Sequence, residues 1–219
     1  SNPPYSIKWA GKENPILIND ERFAPAGVLA PSSKADLAFT MHMLSWLSPK
    51  GTAAIVEFPG VLYRGGAEQK IRQYMIDNNF VDTVIQLPSD LFFGTSIATC
   101  ILVLKKNKTD NNILFVDASD QCVRNTNKNK LSDDNINNII NVLKDRKSIE
   151  NKSYLATYEE VKDNDYNISV NSYLKTNGED TTIDIKAVNE KLSQVVPRQQ
   201  KIREELEAII KELEVDYHE

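Results

Sequence analysis

Thiols and imidazoles are scarce. Two cysteines, Cys100 and Cys122, and two histidines, His42 and His218, are scattered over 219 residues. That is too few for a disulfide framework, and the pattern suits no metal site. Cys100 lies in an apolar run and reads as a buried thiol in a reducing cytoplasm, and His42 reads as a packed helix residue. No apolar run approaches the roughly 20 residues needed to span a bilayer, and no signal-peptide pattern opens the chain. A surplus of positive charge is missing too. The formal net charge is −5, with 11 basic and 9 acidic side chains in residues 1–108 and 15 and 22 in residues 109–219. Affinity for a duplex comes mainly from neutralising phosphates, so the acidic second half is expected to meet protein.

What is present is an alternation of helical and strand patterns. Leu37, Met41, Leu44 and Leu47 share one face of a predicted helix over 34–48, capped by Ser32 or Ser33 and stopped by Pro49. Strands are expected over 52–58, 81–87, 98–104 and 113–117. A helix over 67–79 turns Ile71, Tyr74 and Met75 inward. Ser132 caps a helix running to about residue 146, with Ile136, Ile139, Ile140 and Leu143 in one stripe. Segment 148–182 is polar and Asn-rich, so turns, a short helix near 157–162 and irregular backbone are expected there. In the tail Ile185, Val188, Leu192, Val195, Ile202, Leu206, Ile209 and Leu213 step by 3 and 4, with Gln199 in the vacant seam position, which is coiled-coil spacing. Pro197 interrupts it, either kinking one helix or opening a second.

The chain opens with Asn2-Pro3-Pro4-Tyr5, a kit for holding an amino group beside a planar base. An Asn side-chain carbonyl and a backbone carbonyl, that of Pro3, each accept one hydrogen of an exocyclic amine and aim its lone pair. Two prolines stiffen the loop and remove donors. Tyr5 offers a ring face to a base flipped from a duplex. Alone, these four residues also fit an ordinary turn. Further along come Ser6-Ile7-Lys8-Trp9, Asp20-Glu21-Arg22-Phe23, the run Lys34-Ala35-Asp36-Leu37-Ala38-Phe39, the segment Phe58-Pro59-Gly60-Val61-Leu62-Tyr63-Arg64, Leu87-Pro88 with Phe92-Phe93-Gly94-Thr95-Ser96, Asn127-Lys128-Asn129 and Asp165-Tyr166-Asn167. In this order over residues 1 to about 175, the succession resembles the modification subunit of type I restriction-modification systems, a DNA adenine-N6 methyltransferase.

The resemblance implies an α/β fold: over 1–120, the C-terminal half of a Rossmann-like sheet whose last two strands pair antiparallel. A helix and an irregular segment would follow over 121–182 and a helical extension over 183–219. It also implies S-adenosylmethionine as methyl donor. The donor's glycine-rich turn lies before the Asn-Pro-Pro motif in that family, and the cluster Gly60 to Gly66 has the wrong spacing for it. The chain therefore reads as a C-terminal fragment with no cofactor-binding residues of its own, inactive alone, and no metal site is expected. Asn2, Pro3, Pro4 and Tyr5 become the catalytic candidates. Phe92 or Phe93 becomes a second stacking ring for the target base, with core packing as the plain alternative for both. Arg64 and Lys128, with Lys130, are candidates for the DNA backbone, a strand-to-helix loop and a solvated cluster being the plain readings. Double-stranded DNA, a specificity subunit meeting the C-terminal helices and a restriction subunit are the implied partners. A tail folded back on its own domain is the plain alternative for the helices, and a non-catalytic assembly module is the other functional reading.

Overall fold

Side chains alternate across a strand, and the central strands of this chain are apolar at both parities, so each needs cover on two faces. The structure, a computed structural model, describes residues 1–174 and 185–215. The chain forms two compact units, Ser1–Thr176 and Asn177–Glu219. In the first unit the strands are β1 (Thr52–Glu57), β2 (Val81–Gln86), β3 (Cys100–Lys105), β4 (Ile113–Asp117) and β7 (Ser153–Ala156), while β5 (Val123–Asn125) and β6 (Lys128–Lys130) make a separate hairpin. The sheet order is β1-β3-β2-β4-β7. Strands β2 and β4 run parallel, and every other neighbouring pair is antiparallel.

Two helices cover one face. Leu37, Met41 and Leu44 of α1 (Asp36–Trp46) and Ile71, Met75 and Ile76 of α2 (Ala67–Asp77) pack with Ile55, Val84, Leu102, Leu104 and Phe115. On the opposite face α3 (Asp133–Asp145) lays Ile139, Val142 and Leu143 over Ile85, Leu114 and Val116. Within β4, Ile113 and Phe115 belong to the first core and Leu114 and Val116 to the second. The fold is thus the mixed α/β sheet expected from the sequence, including the antiparallel pairing of β2 with β3.

Several local expectations are corrected. Helix α1 begins after Ala35 with no side-chain cap. Ser32 is held further back, its carbonyl accepting from Trp9 N at 3.0 Å, while Ala35 N donates to Ile7 O at 2.9 Å. The stripe on α3 is only half covered: Ile139 and Leu143 pack, but Ile136 and Ile140 remain 40% and 38% exposed. Strand β7 lies inside the segment expected to be irregular, and its four residues pair with β4, too short a run for alternation to register. The hairpin β5–β6 is likewise unsignalled, because its strands are three polar-flanked residues each. The short helix is present as α4 (Tyr158–Asp163), opened by a capping box of Thr157 and Glu160.

The second unit contains α5 (Ile185–Val215), one helix that continues through Pro197. Leu192, Val195, Ile202 and Leu206 on it are 52–59% exposed. The side chains of Ile185, Val188, Ile209 and Leu213 of the predicted seam, the segment 175–184 and the terminal residues with His218 fall outside what is described. Among the described residues no helix is long and apolar enough to cross a membrane.

A single buried cation ties the first unit together. Arg72 on α2 is 1% exposed. It donates to Val61 O at 2.9 Å, to Arg64 O at 2.7 Å and to Tyr166 O at 2.9 Å. Burial holds its pKa down to about 10, against the favourable charge of Glu68, so it stays protonated at neutral pH. Those bonds lock the segment after β1 to the Asp165-Tyr166 turn, whose residues both have positive φ. Arg72→Met keeps the aliphatic bulk but strands one buried and two part-buried carbonyls. It should cost about 3 kcal/mol and lower the melting temperature by roughly 6–12 °C. A thermal melt shifted by less than about 2 °C would refute this role.

Candidate active site

Strand directions gather the predicted site residues at one edge. The C-terminal ends of β1 and β2 and the start of β3 lie side by side, since Glu57 pairs with Cys100 and Cys100 with Gln86. The Asn-Pro-Pro-Tyr loop approaches the same edge. Ser1 N donates to Ala54 O at 2.8 Å and Val56 N donates to Ser1 O at 3.0 Å. That is a parallel-ladder pattern opposite Ile55, and it sends Asn2 toward the end of β1.

The loop is tied down beyond its prolines as well. Tyr5 Oη donates to Asn2 Oδ1 at 2.9 Å, closing the turn across Pro3-Pro4. Ser6, at φ 51°, donates its N–H to Asp36 Oδ1 at 2.7 Å. Asn2 is exposed and Tyr5 half-buried. The Asn2 carbonyl keeps a second lone pair for an incoming donor. The sequence motif therefore appears as a braced loop presenting an acceptor and a ring.

Beneath it lies a group of acids that sequence reasoning passed over. Asp36 is 1% exposed and Glu57 is fully buried. Thr40 Oγ1 donates to Glu57 Oε1, while Asp36 Oδ2 and Glu57 Oε2 have no protein partner. Burial, opposed by the Thr40 hydrogen bond and reinforced by the Asp36 charge, pushes the Glu57 carboxyl up to about 8. Burial, then the Glu57 and Cys100 charges, also raises the Tyr5 hydroxyl. Burial pushes the Cys100 thiol up, and its Sγ donates to Glu57 O at 3.4 Å. A charged residue closing the apolar run 52–58 was the available signal for Glu57.

The two phenylalanines part company. Phe92 packs against the second core, whereas Phe93 is 96% exposed beside Gly94, whose φ is +79°. They sit on the loop from β2 to β3, at the same edge as Asn2. Arg64 is held within the chain: its guanidinium lies 5.1 Å from the Phe58 ring centroid and 3.4 Å from Glu68 Oε1. A side chain added at Gly60 would collide with that guanidinium, so the space over Gly60 is filled by the protein itself. Arg64 thus covers Gly60, while nothing lies within 4 Å of a Cβ at Gly66. Lys128 Nζ donates to Thr95 O at 2.9 Å and sits 3.6 Å from Asp90 Oδ1. Lys130, at the end of β6, is exposed.

Comparison with known proteins places this arrangement. Residues 1–182 match the family model for N-6 DNA methylases. The chain is 46% identical over 218 residues, 99% of its length, to the type I restriction enzyme MpnII methylase subunit of Mycoplasma pneumoniae. It is 29% identical over 216 residues to the MjaVII methylase subunit of Methanocaldococcus jannaschii. It spans 40% and 37% of those two relatives. Among solved structures, a type I restriction-modification methyltransferase subunit from Streptococcus thermophilus superposes with a TM-score of 0.76 at 43% identity. That match covers 79% of this chain and 37% of the other.

The buried acid gives a pH prediction. The folded Glu57 holds its proton up to about pH 8, while an unfolded glutamate releases it near 4.5. The unfolded state is therefore favoured increasingly between those values, and stability should fall as pH rises from about 5 to 8. Glu57→Gln should match the parent chain near pH 5 and exceed it at pH 8 by on the order of 2–4 kcal/mol. Denaturant titrations at the two pH values measure the difference. Equal gaps at both would show that Glu57 is not the group responsible.

Proposed function

Given that the chain belongs to the N-6 DNA methylase family, we propose that it carries the substrate side of an adenine-N6 methyltransferase site in a type I restriction-modification complex. The observation that bears most weight is the braced Asn2–Tyr5 loop sharing a sheet edge with the exposed Phe93. A target adenine flipped out of double-stranded DNA would enter between these elements. Asn2 Oδ1 and the Pro3 carbonyl would each accept one N6 hydrogen, turning the nitrogen lone pair away from the purine ring. Tyr5 and Phe93 would flank the base, with a stacking contribution of about 1–3 kcal/mol per ring. No general base is required, since the surplus proton leaves N6 after transfer. S-adenosylmethionine would supply the methyl group. Arg64 fills the space over Gly60, so that glycine is closed to a ligand.

Recognition of the DNA sequence would come from a specificity subunit. The described apolar positions of α5, at Leu192, Val195, Ile202 and Leu206, are the surface we assign to it. A restriction subunit would complete the complex, in the cytoplasm of its host. Arg64 and Lys128 are both engaged inside the chain, which favours structural duties for them over contact with DNA backbone.

Three variants test the base-holding assignment in the full-length enzyme. Asn2→Ala should lower methylation on the order of 100-fold, as loss of a preorganised polar group does elsewhere. Phe93→Ala should lose base flipping while changing stability by less than about 0.5 kcal/mol. Phe92→Ala should do the reverse, costing about 1–3 kcal/mol of stability through lost core packing. Normal methylation by the Asn2 variant would sink the reading. For the assembly role, Leu192→Glu with Leu206→Glu should weaken co-elution with the specificity subunit about tenfold or more. Undiminished co-elution on a sizing column would assign that contact elsewhere.

A further inference from the structure

The motif Asn127-Lys128-Asn129 has no place in the proposed base pocket, yet its bonds outside the hairpin run to the loop that carries Phe93. That loop, 87–99, is long and is rooted at its base by Leu87 N donating to Thr99 O at 2.9 Å. Leu91 and Phe92 are packed, but Phe93, Gly94, Ser96 and Ile97 are exposed, so core packing does not fix the tip. Asp90 and Gly94 both have positive φ, at 57° and 79°. A tip of this kind needs an external support to hold one conformation.

The hairpin supplies it. On the ascending limb, Asn129 N donates to Asp90 O at 3.0 Å and Asn129 Nδ2 to Ser89 O at 2.9 Å. On the descending limb, Lys128 Nζ donates to Thr95 O at 2.9 Å. The Asp90 carboxylate lies 3.6 Å from both Lys128 Nζ and Arg124 Nη1. Asp90 N donates to Ser96 O at 3.3 Å, joining the limbs directly. Lys128 therefore grips residues on both sides of Phe93. An isolated two-stranded hairpin is marginal in water, so β5–β6 depends on the loop as much as the loop depends on it.

We propose that the β5–β6 hairpin is a clamp that presets the base-stacking loop, with Lys128 and Asn129 as positioning residues for Phe93. The proposal rests on the assignment of Phe93 to base stacking. Fixing the tip before the base arrives removes an ordering cost from the flipped complex, which is how a residue that never touches the substrate alters its capture. It also sets Lys128 apart from a lysine on the DNA backbone. Such a lysine would shift affinity and its salt dependence together.

Two measurements test the clamp. In this chain, hydrogen exchange at the Asp90 amide, which donates to Ser96 O, should accelerate about tenfold in Lys128→Met and in Asn129→Ala, with Lys128→Arg close to the parent. In the full-length enzyme, bound to a duplex with 2-aminopurine at the target adenine, both losses should lower the fluorescence rise on flipping by about tenfold. Lys128→Arg should restore most of it, and the salt slope of DNA affinity should not change. Phe93→Ala is the reference. If it leaves flipping intact, the stacking assignment fails and the clamp falls with it. If Phe93→Ala abolishes flipping but Lys128→Met and Asn129→Ala do not, the clamp alone is overturned. A salt slope reduced by about one in Lys128→Met, with flipping per bound complex unchanged, would make Lys128 a phosphate contact and overturn the clamp too.

Discussion

The guanidinium of Arg72 is the constraint on which the active edge depends. A buried cation with no carboxylate in direct hydrogen-bonding contact is tolerated because three carbonyls share its donors. Those carbonyls belong to segments far apart in sequence, one after β1 and one at Tyr166. The path from β1 into α2 is thereby fixed, and with it the end of β1, where Glu57 lies beneath the Asn2–Tyr5 loop. Ile168 N donating to Leu62 O at 2.9 Å adds a fourth tie between the same segments. The site thus stands on a polar knot as much as on the apolar core.

Around that edge the chain accepts an electrostatic compromise. Two fully buried carboxyl groups, Asp36 and Glu57, lie close enough for one charge to oppose the other. Asp36 accepts an N–H from Ser6 and lies in the first turn of α1. Glu57 has one hydroxyl and remains protonated at neutral pH. A neutral acid thus fills the space beneath the loop that Asp36 anchors.

Most of the layer order was legible because it follows from period. Apolar runs 52–58, 81–87, 98–104 and 113–117 are the four long strands, and Ser132 caps α3 where the sequence places it. The elements that escaped notice share a cause. Strand β7 is four residues long and pairs with the distant β4, while the three-residue strands of the hairpin pair with each other and lean on Ser89, Asp90 and Thr95, which no local pattern encodes. The same reasoning separates the site residues. Asn2 and Tyr5 lie in one four-residue motif and could be read together, whereas the exposure of Phe93 and the packing of Phe92 depend on how a loop settles on a core built from β2, β4 and α3.

The hydrogen bond from Tyr5 to Asn2 has a meaning for base choice. An asparagine amide presents oxygen on one side and nitrogen on the other, and a free rotor offers either to an incoming base. With the hydroxyl donating to Oδ1, the amide is registered with its oxygen in the turn and a lone pair still open. In the proposed base-holding role, a base bearing an amino group would find an acceptor there, and a base bearing a keto group would meet oxygen against oxygen. One phenolic proton, three residues from the amide it orients, would then convert an ambidextrous side chain into a filter for exocyclic amines.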